Sequence, residues 1–134
     1  MDKISRALDS WPLLAYFQNQ PAAPKVVKIL QESYKEGSEL LISTVNWGEV
    51  LYAMDRQWGP QKRDEAEGLI EQMHLRVLPV DQPMAREAAR FKARYRLGYA
   101  DCFAAAAAFL KEGELVTGDP DFRVLKGEIR IHWL

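Results

Sequence analysis

Residues 114–122 have the sequence Glu-Leu-Val-Thr-Gly-Asp-Pro-Asp-Phe. The first four of these residues form a short apolar and β-branched run, which predicts a strand. Gly118, Asp119 and Pro120 then predict a turn, because glycine and proline interrupt a strand and an aspartate before a proline is a typical helix start. The segment therefore predicts a strand that ends at an acidic residue, directly before a short helix.

The same succession of strand and helix recurs along the rest of the chain. Further strands are predicted at residues 4–8, 40–42, 75–80 and 129–133. Helical spacing or composition predicts helices at residues 13–17, 26–34, 43–58, 62–73, 83–95 and 101–111. This alternation indicates an α/β fold: a three-layer sandwich with a mainly parallel central sheet flanked by helices.

Length and composition predict one domain that spans residues 1–134, since 134 residues with 48% hydrophobic content suffice for a single core. The single cysteine, Cys102, excludes an internal disulfide and a zinc site built from cysteines. We therefore expect a protein of the reducing cytoplasm. The start of the chain lacks the apolar core of a signal peptide, and the longest apolar run, residues 102–110, is too short for a membrane span.

The formal net charge of −1 favours no particular partner. A nucleic acid would have to be held by a local basic patch rather than by the overall charge of the protein. One candidate patch is formed by Arg86, Arg90 and Arg94, which recur every fourth residue on one predicted helix. This spacing favours an RNA-binding surface. The alternative is a solvated helix face on which Arg86 and Arg90 pair with acids such as Glu87.

Four carboxylates are the strongest candidates for chemistry. They lie after predicted strands or early in predicted helices, and parallel sheets place their sites at that edge. Carboxylates crowded together resist ionisation because their negative charges repel one another. A bound divalent cation offsets this repulsion. Oxygen-only ligation favours Mg²⁺ or Mn²⁺, which join carboxylates to substrate phosphates. The four residues are Asp9, Glu49, Asp101 and Asp119, and Asp121 is a possible fifth ligand.

Each of these acids also has a purely structural explanation. Asp9, Asp101 and Asp119 have the positions of helix N-caps, and Asn46 with Glu49 has the spacing of a capping pair. If capping is their only role, the protein is a non-catalytic interaction module. The case for a metal site rests on the four residues as a set.

Four short motifs carry a resemblance to a known family. They are Asp-Ser at 9–10, Val-Asn-Trp-Gly-Glu-Val-Leu at 45–51, Tyr-Ala-Asp-Cys-Phe-Ala-Ala at 99–105 and Leu-Val-Thr-Gly-Asp-Pro-Asp-Phe at 115–122. In this order, and over essentially the whole chain, they resemble the PIN domain, and within that family the VapC-type toxins. One departure is the first strand, which Ser5 and Arg6 make more polar than is usual in the family.

The resemblance implies a Mg²⁺-dependent endoribonuclease that cleaves RNA phosphodiester bonds, acts as the toxin of a type II toxin–antitoxin pair, and usually forms a homodimer. It implies that the four acids are metal ligands, that Ser10 and Thr117 are supporting hydroxyls, and that Asp121 is an auxiliary acid. The mechanism implied is metal-assisted hydrolysis without a covalent enzyme intermediate. The alternatives are a DNA nuclease or another metal-dependent phosphoesterase with the same acidic pocket.

Overall fold

A computed structural model describes residues 3–134, so the first two residues of the predicted domain lie outside the described part. Its centre is a five-stranded sheet with the strand order β3-β2-β1-β4-β5. All pairs of neighbouring strands are parallel, which confirms the predicted α/β sandwich. The strands are β1 (Arg6–Leu8), β2 (Leu40–Ser43), β3 (Arg76–Leu78), β4 (Glu114–Thr117) and β5 (Arg130–Trp133).

Helices connect the strands and cover both faces of the sheet. They are α1 (Ser10–Phe17), α2 (Ala23–Glu36), α3 (Thr44–Trp58), α4 (Pro60–Gln72), α5 (Gln82–Arg94) and α6 (Tyr99–Leu110), with a 3₁₀ helix at Pro120–Leu125. Of the described residues, no helix is long and apolar enough to cross a membrane.

The side chains of the strands alternate between two separate hydrophobic layers. Ala7, Leu41 and Leu115 pack with α5 and α6 on one face, whereas Leu8 and Ile42 pack with α1 to α4 on the other. A sheet buried on both faces needs strands that are mostly apolar, and in β2 the residues Leu40, Leu41 and Ile42 are apolar and buried. Burial on both faces therefore fixes which residues pair between neighbouring strands. The same pairing fixes which side chains stand at the strand ends.

Helix α6 is the most deeply buried helix of the described part. Seven consecutive residues, from Cys102 to Ala108, are buried. Alanine has the highest helix propensity and a small side chain, so a helix rich in alanine can lie close to the sheet on one side and to α5 on the other. This close packing holds the first turn of α6, and Asp101 within it, against the end of the sheet.

Several element boundaries differ from the prediction by a few residues. β1 begins at Arg6 rather than at residue 4, because its pairing with β2 and β4 starts there, and the Arg6 charge is paired through Nε with Glu114 Oε1 at 2.7 Å. α1 begins at Ser10, since Pro12 is tolerated in a first helical turn. β3 ends before Pro79, and α6 begins at Tyr99, two residues before the predicted start.

Candidate metal centre

The site is built where β1 and β4 end side by side. Leu8 pairs with Val116 in the parallel register, so Asp9 and Thr117 follow at the same level of the sheet. The Thr117 hydroxyl donates to Asp9 Oδ2 at 3.0 Å and accepts from the Asp119 backbone N–H at 3.0 Å. Asp9 is only 1% exposed. Thr117 therefore connects two of the predicted acidic residues through hydrogen bonds.

Three of the four predicted carboxylates converge. One oxygen each from Asp9, Asp101 and Asp119 lies within 4.8 Å of the other two. Asp9 follows β1, Asp119 follows β4, and Asp101 is the third residue of α6. The three groups come from distant parts of the sequence and are brought together by the order of the strands and the packing of α6.

Glu49 lies beside this cluster rather than within its closest contacts. Its Oε1 accepts from Asn46 Nδ2 at 3.2 Å, and the same amide group donates to the backbone oxygen of Ala100 at 3.0 Å. Asn46 in turn accepts at Oδ1 from the Ser43 hydroxyl at 2.6 Å. Asn46 thus fixes Glu49 relative to the start of α6, next to Asp101.

Sequence reasoning assigned Asn46 only to a capping pair with Glu49 and missed this positioning role. The N-cap of α3 is Ser43, whose hydroxyl accepts from the Asn46 backbone N–H at 3.1 Å. The signal available in the sequence was the spacing of Ser43, Asn46 and Glu49 at intervals of three residues, which places their side chains on one helix face.

The capping alternatives hold for only one of the acids. Asp9 occupies the N-cap position of α1 without a side-chain capping bond, and the N-cap of α6 is Gly98 rather than Asp101. Asp119 does cap the 3₁₀ helix, accepting at Oδ1 from the Asp121 backbone N–H at 2.9 Å. Capping therefore explains one oxygen of Asp119, whereas at least one carboxylate oxygen of Asp9 and of Asp101 has no hydrogen-bond partner among residues 3–134.

The negative charges of the clustered carboxylates are not offset by a neighbouring cation among the described residues. Burial raises the pKa of Asp9 well above its usual value, and the charges of Asp101, Asp119 and Glu49 raise it further against the lowering effect of the Thr117 hydrogen bond. Burial also raises the pKa of Asp101 from 3.8 to about 6, with further contributions from Glu49, Asp119 and Asp121. Positive charge bound nearby would lower both pKa values.

The donor set fits a hard divalent cation. Asp9 Oδ1 is buried and has no hydrogen-bond partner among the described residues, although buried carboxylate oxygens are normally paired. Carboxylate oxygens are the ligands that Mg²⁺ and Mn²⁺ prefer. An unpaired buried oxygen beside two further carboxylates is therefore an arrangement that a bound cation completes.

The remaining predicted site residues lie around this cluster. Asp121 is exposed on the 3₁₀ helix, close enough for its charge to raise the pKa of Asp101. Ser10 is half-buried at the first position of α1, and its hydroxyl makes no side-chain hydrogen bond with the described residues.

The three arginines of α5 do not share one environment. Arg86 and Arg94 are exposed, whereas Arg90 donates to Glu87 Oε2 at 2.8 Å and to Glu128 Oε2 at 3.0 Å. The Arg90 guanidinium also lies over the ring of Phe109, 4.9 Å from its centroid. The ion-pair alternative therefore describes Arg90, whereas Arg86 and Arg94 form no ion pair within the described part of the chain and stay candidates for the predicted RNA surface.

Comparison with known proteins places this geometry in a family. The PIN domain family matches residues 7–128, and no curated protein matches the chain. The chain therefore belongs to the PIN domain family, as the sequence motifs predicted. All three converging carboxylates lie within the matched segment.

Solved structures share the fold over nearly the whole chain. VapBC2 from Rickettsia felis, bound to a DNA fragment from its promoter, has a TM-score of 0.80 at 13% identity and covers 96% of this chain and 98% of its own. VapC20 from Mycobacterium tuberculosis, a toxin that cleaves the sarcin-ricin loop, has a TM-score of 0.70 at 15% identity and coverages of 89% and 93%. A toxin-antitoxin complex from Klebsiella pneumoniae has a TM-score of 0.67 at 20% identity and coverages of 95% and 95%.

Proposed function

We propose that this chain is a Mg²⁺- or Mn²⁺-dependent endoribonuclease of the VapC type. The observation that carries the proposal is the convergence of Asp9, Asp101 and Asp119 oxygens within 4.8 Å, around a buried Asp9 oxygen that has no partner in the described part of the chain. A structural cluster of this kind is unfavourable without a cation, so its presence argues for a metal site. The whole of residues 1–134 is proposed to be this single nuclease domain.

Asp9, Asp101 and Asp119 are the proposed metal ligands, with Glu49 completing the acidic pocket and Asp121 at its exposed rim. A divalent cation bound there supplies positive charge for the phosphate oxygens of the substrate. Thr117 holds the Asp9 carboxylate in a fixed rotamer through its 3.0 Å hydrogen bond, and Asn46 does the same for Glu49. These contacts keep the ligands in place before substrate arrives, so little rearrangement is needed on binding.

RNA is the proposed substrate because the structurally similar VapC20 is a toxin that cleaves the sarcin-ricin loop and because Arg86 and Arg94 are exposed on α5. Arg86 and Arg94 on α5, which packs against α6, are the proposed contacts to the RNA backbone. Such contacts carry no base preference, so they set affinity rather than sequence choice.

Toxin–antitoxin complexes among the similar structures support one further part of the proposal, a cognate antitoxin protein as the inhibitor. The proposed active form is a homodimer in the cytoplasm, as the resemblance to the VapC-type toxins implies.

The substrate class is tested by incubating the wild type with structured RNAs, matched DNAs and p-nitrophenyl phosphate, each with Mg²⁺ or with EDTA. The proposal predicts Mg²⁺-dependent cleavage of RNA and none of the small ester. Preferred cleavage of DNA would support the DNA-nuclease alternative, and hydrolysis of the small ester alone would support a phosphoesterase. If no substrate is cut, the interaction-module alternative is favoured.

A further inference from the structure

A groove of about 480 Å³ lies between the 3₁₀ helix and β5, at the edge of the sheet. We call it the basic groove. It is lined by Arg123, Lys126, Ile129, Ile131 and Trp133. None of these residues belongs to the metal centre described above, and the sequence reasoning assigned no function to the groove.

The position of Trp133 connects the basic groove to the metal centre. Trp133 pairs with Thr117 in the register of β4 and β5, and the backbone N–H of Leu134 donates to the Thr117 oxygen at 2.9 Å. Adjacent strands are about 4.8 Å apart, so Trp133 lies one strand away from the hydroxyl that holds Asp9. Paired residues in a parallel register point to the same face, which places both side chains on the face covered by α6.

The charges of the groove are free to bind a ligand. Arg123 and Lys126 are exposed, and neither forms an ion pair with any described residue. Arg123 lies on the 3₁₀ helix that Asp119 caps, so the chain passes from the acidic cluster to the cations of the groove within a few residues.

The wall of the groove suits the flat face of a base. Trp133 lines the groove together with the aliphatic side chains of Ile129 and Ile131, and Trp133 is 45% exposed. Proteins that bind single-stranded nucleic acids combine exposed aromatic rings, on which bases stack, with cations that contact the phosphates. The indole of Trp133 and the two cations of the groove form this combination. A protein partner at this edge would need acidic groups to match the cations of the groove. Nothing in the lining of the groove requires a protein.

We propose that the basic groove binds the nucleotide of a single-stranded RNA segment that flanks the cleaved phosphate, with its base on Trp133 and its phosphates at Arg123 and Lys126. This inference rests on the proposed function, since it names where that RNA substrate extends. It predicts that the substrate is held as an unpaired strand at the cleavage site.

The test measures binding of a fluorescently labelled single-stranded RNA by anisotropy, in EDTA so that no cleavage occurs. The variants are Trp133→Ala and the double variant Arg123→Gln with Lys126→Gln. Two controls remove equivalent groups elsewhere: Trp58→Ala, where the residue is 44% exposed at the end of α3, and Arg130→Gln on the opposite face of β5. Trp133→Phe retains an aromatic face.

We expect Trp133→Ala to weaken binding about tenfold, Trp133→Phe to recover most of that loss, and Trp58→Ala to match the wild type. The double variant is expected to lower the slope of log affinity against log salt by about 1.4, that is about 0.7 for each lost phosphate contact, and Arg130→Gln to leave it unchanged. The proposal is overturned if both groove variants bind the RNA with the affinity of the wild type. It is also overturned if the groove variants and the control variants lose equal affinity.

Because binding is measured in EDTA, the result does not depend on catalysis. A wild type that cuts no RNA but binds it through Trp133 contradicts the proposed function and supports the basic groove. A wild type that cuts RNA while the groove variants bind normally supports the function and contradicts the groove.

Discussion

The hydroxyl of Thr117 donates a 3.0 Å hydrogen bond to Oδ2 of Asp9, and the two residues are buried at the ends of neighbouring strands. Thr117→Val removes this donor while keeping the shape of the side chain. We expect the variant to lose about 1 to 2 kcal/mol of stability, because the buried Asp9 oxygen is left without a partner. Chemical denaturation measures the loss, and Mg²⁺ titration should show weaker binding.

Thr117→Ser is the matched control, because it keeps the hydroxyl and removes only a methyl group. It should recover most of the Mg²⁺ affinity that Thr117→Val loses. Equal Mg²⁺ affinity in the valine variant and the wild type would show that Thr117 does not position the Asp9 carboxylate.

The raised pKa of Asp101 predicts how the metal-free protein responds to pH. The folded protein holds the proton of Asp101 up to a pKa of about 6, against an ordinary value of 3.8, so this group's contribution to stability is full below pH 3.8 and is lost as the pH rises through 6. Asp101→Asn is neutral at every pH. In EDTA at pH 8 we expect the variant to be more stable than the wild type by about 1 kcal/mol, since solvent screens this partly exposed carboxylate.

Thermal denaturation in EDTA at pH 5 and pH 8 measures this difference, which should shrink at the lower pH. Mg²⁺ should then stabilise the wild type but not the variant, because a ligand stabilises only the state that binds it. A variant that is less stable than the wild type at pH 8 in EDTA would contradict the crowding of carboxylates at this site.

Asn46 is predicted to position Glu49 rather than only to stabilise the core. Asn46→Ala removes the donors to Glu49 and to the Ala100 oxygen, so we expect a loss of about 2 kcal/mol in stability and about a tenfold loss in Mg²⁺-dependent cleavage. Val50→Ala, in the core on the same helix, is the control for destabilisation alone. If both variants lose cleavage equally, the effect of Asn46 is purely structural.

Arg90 and Arg94 should behave differently although they lie one turn apart on α5. Arg90→Met removes ion pairs to Glu87 and Glu128, and we expect about 1 kcal/mol of destabilisation with unchanged RNA affinity. Arg94 is exposed, so Arg94→Gln should leave stability unchanged and lower the salt slope of RNA binding by about 0.7. Denaturation and anisotropy measured on both variants decide between these roles, and RNA affinity that falls only in Arg90→Met would reverse the assignment.

The sequence was informative wherever structure depends on neighbours along the chain. Gly118 and Pro120 mark the end of β4, and Ser43 marks the start of α3, because turns and caps are local. The alternation of strands and helices was enough to predict the α/β sandwich and the edge at which the acids gather.

Other features depend on contacts between distant residues, and local sequence patterns did not predict them. Asp9 meets Thr117 across 108 positions, which requires β1 to lie beside β4, and Thr117 entered the prediction only through the family resemblance. The pairing of Arg90 with Glu128, and of Trp133 with Thr117, likewise depends on where β5 joins the sheet. Strand order follows from packing on both faces of the sheet, and local sequence patterns do not contain it.

The most direct test of the metal-dependent nuclease is single-turnover cleavage of one RNA by the wild type and by Asp9→Asn, Asp101→Asn and Asp119→Asn. Each substitution nearly preserves side-chain volume and removes one charge from the cluster, and circular dichroism checks that each variant is folded. We predict cleavage by the wild type in Mg²⁺ but not in EDTA, and at least about a hundredfold loss in each variant. Cleavage that persists in EDTA, or in all three folded variants, would contradict the account.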